Sequence, residues 1–147
     1  MSSTILVLNG PNLGRLGSRE PEIYGSQTLD DIRAELEAFV PDGVTVELRQ
    51  TDDEGELIGW LHEAVDRAVP VVLNPAAFTH YSYGLRDAAA LLKQAGVPLV
   101  EVHLSNPHTR EAFRHTSVIS GVASGVIAGF GSDSYRLAVD WLLRARS

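Results

Sequence analysis

The 147-residue chain contains no cysteine, which excludes disulfides and thiolate metal sites and leaves five histidines as nitrogen ligands. It also leaves cysteine usage silent about the redox compartment. Lysine is nearly missing as well: of twelve cations eleven are arginine, so Lys93 alone could form a Schiff base. That residue falls in the last turn of an expected helix, where a solvated lysine is ordinary, and lysine catalysis is not expected. The N-terminus lacks a basic region leading into a long apolar stretch with a cleavage site, and no apolar run reaches membrane-span length. A soluble, cytoplasmic protein is the expectation. A basic balance is missing too, since the net charge is −7, which opposes nonspecific binding to nucleic acid or an acidic membrane and leaves a small molecule as the expected ligand. What the chain does have, 44% hydrophobic residues without repeats or low-complexity segments, suffices for one core in a single domain over 1–147.

Strand and helix signals alternate along its length. The apolar run from Thr4 to Asn9 reads as a strand that stops at Gly10, Pro11, Gly14 and Gly17, breakers that oppose both helix and further strand. The loop that follows, up to Tyr24, is long for a compact domain, and Leu13, Leu16, Ile23 and Tyr24 make it too apolar for plain disorder; a lid over a pocket fits. Thr28 with Asp31 forms a capping box for a helix carrying Leu29, Ile32, Leu36 and Phe39 on one face. Val44 to Gln50 alternates as a half-buried strand near a sheet edge, and Asp53 with Glu56 repeats the cap before a helix with Leu57, Leu61, Ala64, Val65 and Ala68. Val71 to Leu73 is wholly apolar, as a central strand is, and delivers Asn74-Pro75 to a second polar loop. A helix with Leu85, Ala88, Ala89 and Leu92 ends at Gly96, Pro98 to His103 forms a fourth strand, and Asn106-Pro107 caps a turn carrying Arg110 and Arg114. Val126 to Phe130 reads as a buried strand, and Ser132 as the cap of a last helix with Tyr135, Ala138, Val139 and Leu142.

This alternation implies right-handed crossovers and an α/β fold: a flavodoxin-like three-layer sandwich around a five-stranded parallel sheet. In such sheets ligands bind beyond the C-terminal strand ends, where strand order reverses. The chemistry-bearing residues gather there. Glu101 and His103, two apart on a strand, leave the same face; they are either a plain hydrogen-bonded pair or an imidazolium acid oriented by a carboxylate. Tyr24 is either an aromatic anchor of its loop or a base favoured as tyrosinate by a nearby arginine. Asn12 suits a turn, and its amide can also stabilise an enolate oxygen. Arg110 and Arg114, at i and i+4, are either solvated or bind a polyol or anion; His80 alone is ambiguous, and Asp87 beside Arg86 reads as a solvated pair.

Together these residues make a pattern that none makes singly: Asn-Gly-Pro-Asn-Leu-Gly-Arg-Leu-Gly-Ser-Arg-Glu-Pro-Glu-Ile-Tyr-Gly at 9–25, Asn-Pro-Ala-Ala-Phe-Thr-His-Tyr-Ser-Tyr-Gly-Leu-Arg-Asp-Ala at 74–88, Glu-Val-His-Leu-Ser-Asn at 101–106 and Arg-Glu-x-Phe-Arg-His at 110–115. The sequence closely resembles the type II 3-dehydroquinate dehydratases over essentially its whole length. The resemblance implies cofactor-free dehydration of 3-dehydroquinate to 3-dehydroshikimate through an enolate, in the shikimate pathway or in quinate catabolism. It makes Tyr24 the base, Arg19 the cation that favours its tyrosinate, Asn12 the enolate stabiliser through a bound water, and His103 the acid oriented by Glu101. It puts the substrate carboxylate on the N–H groups of Leu104 and Ser105 and the ring hydroxyls on Asn74, His80 and Arg114. Arg110 matches a position near the lid, and Asp87 one that reaches a neighbouring subunit's site in a dodecamer built from trimers. Many members have Asn-Ala-Gly-Ala-Tyr where this chain has Asn74-Pro75-Ala76-Ala77-Phe78, and Thr-Ser-Val where it has Tyr81-Ser82-Tyr83.

The rival reading is a noncatalytic flavodoxin-like module holding phosphate or flavin. Gly10, Gly14 and Gly17 fit neither G-x-x-x-x-G-K-S/T nor G-x-G-x-x-G. A metal-dependent hydrolase has less behind it, because no His-x-x-x-His or acidic cluster gathers ligands.

Overall fold

A computed structural model of the chain describes residues 3–18, 20–24 and 26–145. Five parallel strands form one sheet: β1 (Ser3–Asn9), β2 (Val44–Gln50), β3 (Val71–Asn74), β4 (Leu99–His103) and β5 (Gly125–Ala128). Their order is β2-β1-β3-β4-β5, so the chain leaves β1 toward one edge and returns on its other side, placing the reversal between β1 and β3. The helices are α1 (Pro21–Tyr24), α2 (Leu29–Phe39), α3 (Glu54–Arg67), α4 (Tyr83–Gln94) and α5 (Asp133–Ala145). Alternation along β1 sorts the two apolar layers. Ile5 and Val7 pack with Ile32 and Leu36 of α2 and Val139 and Leu142 of α5, while Leu6 and Leu8 pack with Leu57 and Leu61 of α3 and Leu85 and Leu92 of α4.

Local chemistry explains the boundaries. Thr28 Oγ1 accepts from Asp31 N at 3.1 Å while Thr28 N donates back to Asp31 at 3.0 Å, the reciprocal box expected from the sequence. The second cap is only half such a box: Asp53 accepts from Glu56 N, but Asp53 N donates to Thr51 Oγ1 instead. Glycines do not keep the opening loop free of helix either, since Leu13–Arg15 and Pro21–Tyr24 each form one turn. A single turn tolerates glycine where a long helix does not.

Two expectations change. The last strand ends at Ala128, with Val126 47% and Phe130 64% exposed; apolar composition does not distinguish an edge strand from a central one. Arg110 and Arg114 do not share one helical turn. Asn106 caps a 3-10 turn at Pro107–Thr109, and Arg114 lies in a separate one at Ala112–His115.

Candidate active site

At the C-terminal edge, Asn9 pairs in register with Asn74. The approach is so close that Gly10 N donates to Asn74 O at 2.8 Å, and a Cβ on Gly10 would stand 2.7 Å from Pro75 O, which explains the glycine. Below this contact lies a buried polar knot. Tyr135 Oη donates to Asn9 Oδ1 at 2.6 Å and accepts from Asn74 Nδ2 at 2.9 Å, while Asn9 Nδ2 donates to Arg49 O at 3.0 Å. Burial pushes the Tyr135 phenol well above its ordinary range, against the smaller opposing effect of the Asn74 bond, so it stays protonated and keeps donating.

Above the knot opens a cavity of about 180 Å³ whose wall includes Asn12, Tyr24, Asn74, His80, His103, Leu104, Ser105, Arg110 and Arg114. Nine of the twelve site residues expected from the sequence thus meet there. The first loop is latched by its neighbour strand: Asn12, at φ 68°, donates its N–H to Asp52 at 2.9 Å, and Gln50 Nε2 reaches both Asp52 and Gly10 O. Arg110 stacks its guanidinium 5.1 Å from the Tyr24 ring centroid and donates to Ser105 Oγ at 3.3 Å. Arg114 is held by Glu111 at 2.9 Å. His80 donates from Nδ1 to Thr116 O at 2.8 Å, so its other ring nitrogen is the acceptor. Asn74 lines the cavity, yet one of its amide protons serves Tyr135 and its oxygen accepts from Ala76 N at 3.1 Å. Leu104 and Ser105 follow directly on β4; among the described residues neither N–H has an acceptor outside the sheet ladder.

Glu101 sits beside the cavity at 0% exposure, bonded to His103 Nε2 at 2.5 Å. Thr79 Oγ1 and Ser120 Oγ each reach it at 2.6 Å, and Ser117 Oγ approaches both carboxylate oxygens at 3.2 and 3.3 Å. Burial pushes the Glu101 carboxyl up, but His103 and the hydroxyls of Ser120 and Thr79 outweigh it, and the net displacement is downward. An ionised Glu101 can only accept, so His103 carries its proton on Nε2 and offers Nδ1 to the cavity. In a chain of net charge −7, a pocket walled by Arg110 and Arg114 is a local cationic well suited to an anionic ligand.

Two further expected residues are not in this wall. Asp87 lies on the exposed face of α4, paired with Arg86 at 3.0 Å. Arg19 lies outside the described residues. Sequence reasoning missed Thr79, Ser117 and Ser120, and also Asn9 and Tyr135. For Asn9 a signal existed, because a polar side chain ending a buried strand must find a partner.

Residues 3–143 match the family model for class II dehydroquinases. This chain belongs to the class II dehydroquinase family. Relatives include the 3-dehydroquinate dehydratase of Kineococcus radiotolerans, 61% identical across 94% of this chain and 93% of that one. The "3-dehydroquinate dehydratase 2" of Pseudomonas aeruginosa is 55% identical across 95% and 93%. Among solved structures, the type II dehydroquinase from Propionibacterium acnes matches with a TM-score of 0.91 at 52% identity, covering 97% of each chain. Membership of this family makes the chain an enzyme of the dehydroquinase class and sets aside the phosphate- or flavin-binding module. It also confirms the α/β sandwich with its five-stranded parallel sheet.

Proposed function

We propose that this class II dehydroquinase dehydrates 3-dehydroquinate to 3-dehydroshikimate in the pocket at the strand-order reversal, as a single catalytic domain. Tyr24, as tyrosinate, removes a proton from the carbon between the ketone and the carbinol. The electron pair forms an enolate, whose oxygen Asn12 stabilises through water. The enolate then collapses, the C1–O bond breaks, and His103 gives its Nδ1 proton to the departing hydroxyl, so water leaves and the ketone is restored. Glu101 accepts from Nε2 and so orients the imidazolium, whose Nδ1 faces the departing hydroxyl. Arg19 assists Tyr24, and the guanidinium of Arg110, stacked 5.1 Å from the Tyr24 ring centroid, holds the ring in place. The N–H groups of Leu104 and Ser105 hold the carboxylate, while His80, Arg114 and the uncommitted amide proton of Asn74 hold hydroxyls.

The observation that carries this reading is the buried Glu101 bonded to His103 at 2.5 Å beside Tyr24 and Arg110 in one small cationic cavity. We further propose a cytoplasmic homo-oligomer, a dodecamer of trimers, in which Asp87 serves a neighbouring subunit's pocket. Exposed Tyr81, Tyr83, Phe130 and Trp141 supply apolar surface for such contacts, and no described helix is long and apolar enough to cross a membrane. The test is enone absorbance after 3-dehydroquinate is added to purified protein treated with chelator, with a borohydride-treated sample alongside. Both samples should turn over, and Tyr24→Phe should abolish turnover while retaining a substrate-like ligand. Turnover of Tyr24→Phe at the parent rate removes the base from this scheme, and no turnover by folded parent protein removes the activity.

A further inference from the structure

The hydroxyls around Glu101 can be followed proton by proton. Ser117 Oγ accepts from Ile119 N at 3.1 Å and from Ser120 N at 3.0 Å, which occupies both of its lone pairs. Ser117 can therefore only donate to its remaining neighbours. Its closest is Thr79 Oγ1 at 2.6 Å, far nearer than the Glu101 oxygens at 3.2 and 3.3 Å. With Ser117 donating, Thr79 has its own proton left, and that proton goes to Glu101 Oε2 at 2.6 Å. Ser120 adds a donor to Oε1 at 2.6 Å, and His103 adds one to Oε2. Two backbone N–H groups thus set the direction of a relay that runs one way, from Ser117 through Thr79 to Glu101.

Such a relay differs from an arginine partner in one decisive respect. Hydroxyls replace the water that a fully buried carboxylate loses, yet they carry no charge, so the whole field of the anion remains for His103. A protonated Glu101 would face Thr79 with two protons on one short contact. Resting on the dehydratase reading above, we propose that Ser117, Thr79 and Ser120 are positioning residues that hold Glu101 ionised, and thereby fix His103 as the Nε2–H tautomer with Nδ1 turned to substrate. The other charged or titratable groups near this relay are His80, His108, Arg114 and His115, which line a cavity of about 210 Å³ shared with Glu101 and His103. None of the four is bonded to the Glu101 carboxylate among the described residues.

Thr79→Val keeps the side-chain shape and removes the last donor of the relay, while Thr79→Ser keeps the donor. Losing a hydrogen bond to a buried charge should lower kcat about tenfold or more with KM changed less than about twofold. The alkaline limb of kcat should move to higher pH, because Glu101 with one donor fewer is the more basic carboxylate and holds the proton shared with His103 longer. Thr79→Ser should restore both. Imidazole nitrogen-15 NMR of His103 should show Nε2 protonated and Nδ1 bare in the neutral parent, and a mixture of tautomers in Thr79→Val. Ser120→Ala, which removes the single donor to Oε1, gives the same readouts if Thr79→Val does not fold. An unchanged pH limb and an unmixed tautomer in folded variants overturn the relay even when the parent is fully active. A parent without dehydratase activity but with the expected tautomer response overturns the dehydratase reading instead.

Discussion

Replacing Tyr135 by phenylalanine removes one oxygen from the polar knot under the pocket. That oxygen donates to Asn9 at 2.6 Å and accepts from Asn74 at 2.9 Å, and all three residues are at most 2% exposed. Two hydrogen bonds at about 1 kcal/mol each are lost, and Asn9 Oδ1 is left buried without a donor at a further ~1 kcal/mol, so the variant should be less stable by about 3 kcal/mol. With an m-value of about 2 kcal/mol/M, the urea midpoint should fall by more than about 1 M, read by tryptophan fluorescence at one fixed protein concentration. The pH dependence provides an independent check. Because burial raises the phenol of Tyr135, the folded state keeps a proton that the unfolded chain releases near pH ~10. Its stabilising contribution is complete below that pH and is lost as pH rises toward the folded-state value. The parent should therefore weaken above pH ~10 more steeply than Tyr135→Phe, with Tyr24, Tyr81 and Tyr83 common to both. A midpoint shift below about 0.3 M, or equal alkaline slopes, would refute the claim that this hydroxyl ties β1, β3 and α5 together.

Two further outcomes test other parts of the fold. Ala76 holds φ 50°, in the left-handed region; relief of that strain at about 1–2 kcal/mol, less about 0.5–1 for glycine's chain entropy, makes Ala76→Gly stabilising by about 0.5–1 kcal/mol in the same urea assay. A destabilised Ala76→Gly would mean that the Cβ is worth more in the pocket wall than the strain. Arg49 and, next, Arg67 hold Glu63 down to about 2 from an ordinary 4.5, so its contribution is present above pH 4.5 and lost as pH falls toward 2. The pair is over a third exposed on the carboxylate side, so Glu63→Gln should cost less than about 1 kcal/mol and the difference should shrink in high salt; a salt-independent loss would contradict a solvated network.

Residue order alone determined whatever depends on local periodicity. Alternation along β1 and β4 and the 3.6-residue stripes of α2 to α5 specified the layers, and Thr28 with Asp31 specified the start of α2. The same period of two put Glu101 and His103 on one face, which is why that pair is legible in the residue order alone. The motif at 9–25 supplied Asn12 and Tyr24, and the family resemblance supplied their roles. Tertiary structure decided what depends on distant chain segments meeting. Tyr135 lies 126 residues from Asn9, and Thr79, Ser117 and Ser120 reach Glu101 from 22, 16 and 19 residues away. A serine in a loop carries no local mark of the carboxylate it serves, because only the strand order β2-β1-β3-β4-β5 brings the two together. The same order made β5 an edge and left Val126 and Phe130 half exposed, although their composition matches that of a buried strand. Asp87, by contrast, lies outside the cavity wall and pairs with Arg86, a placement that only the folded chain shows.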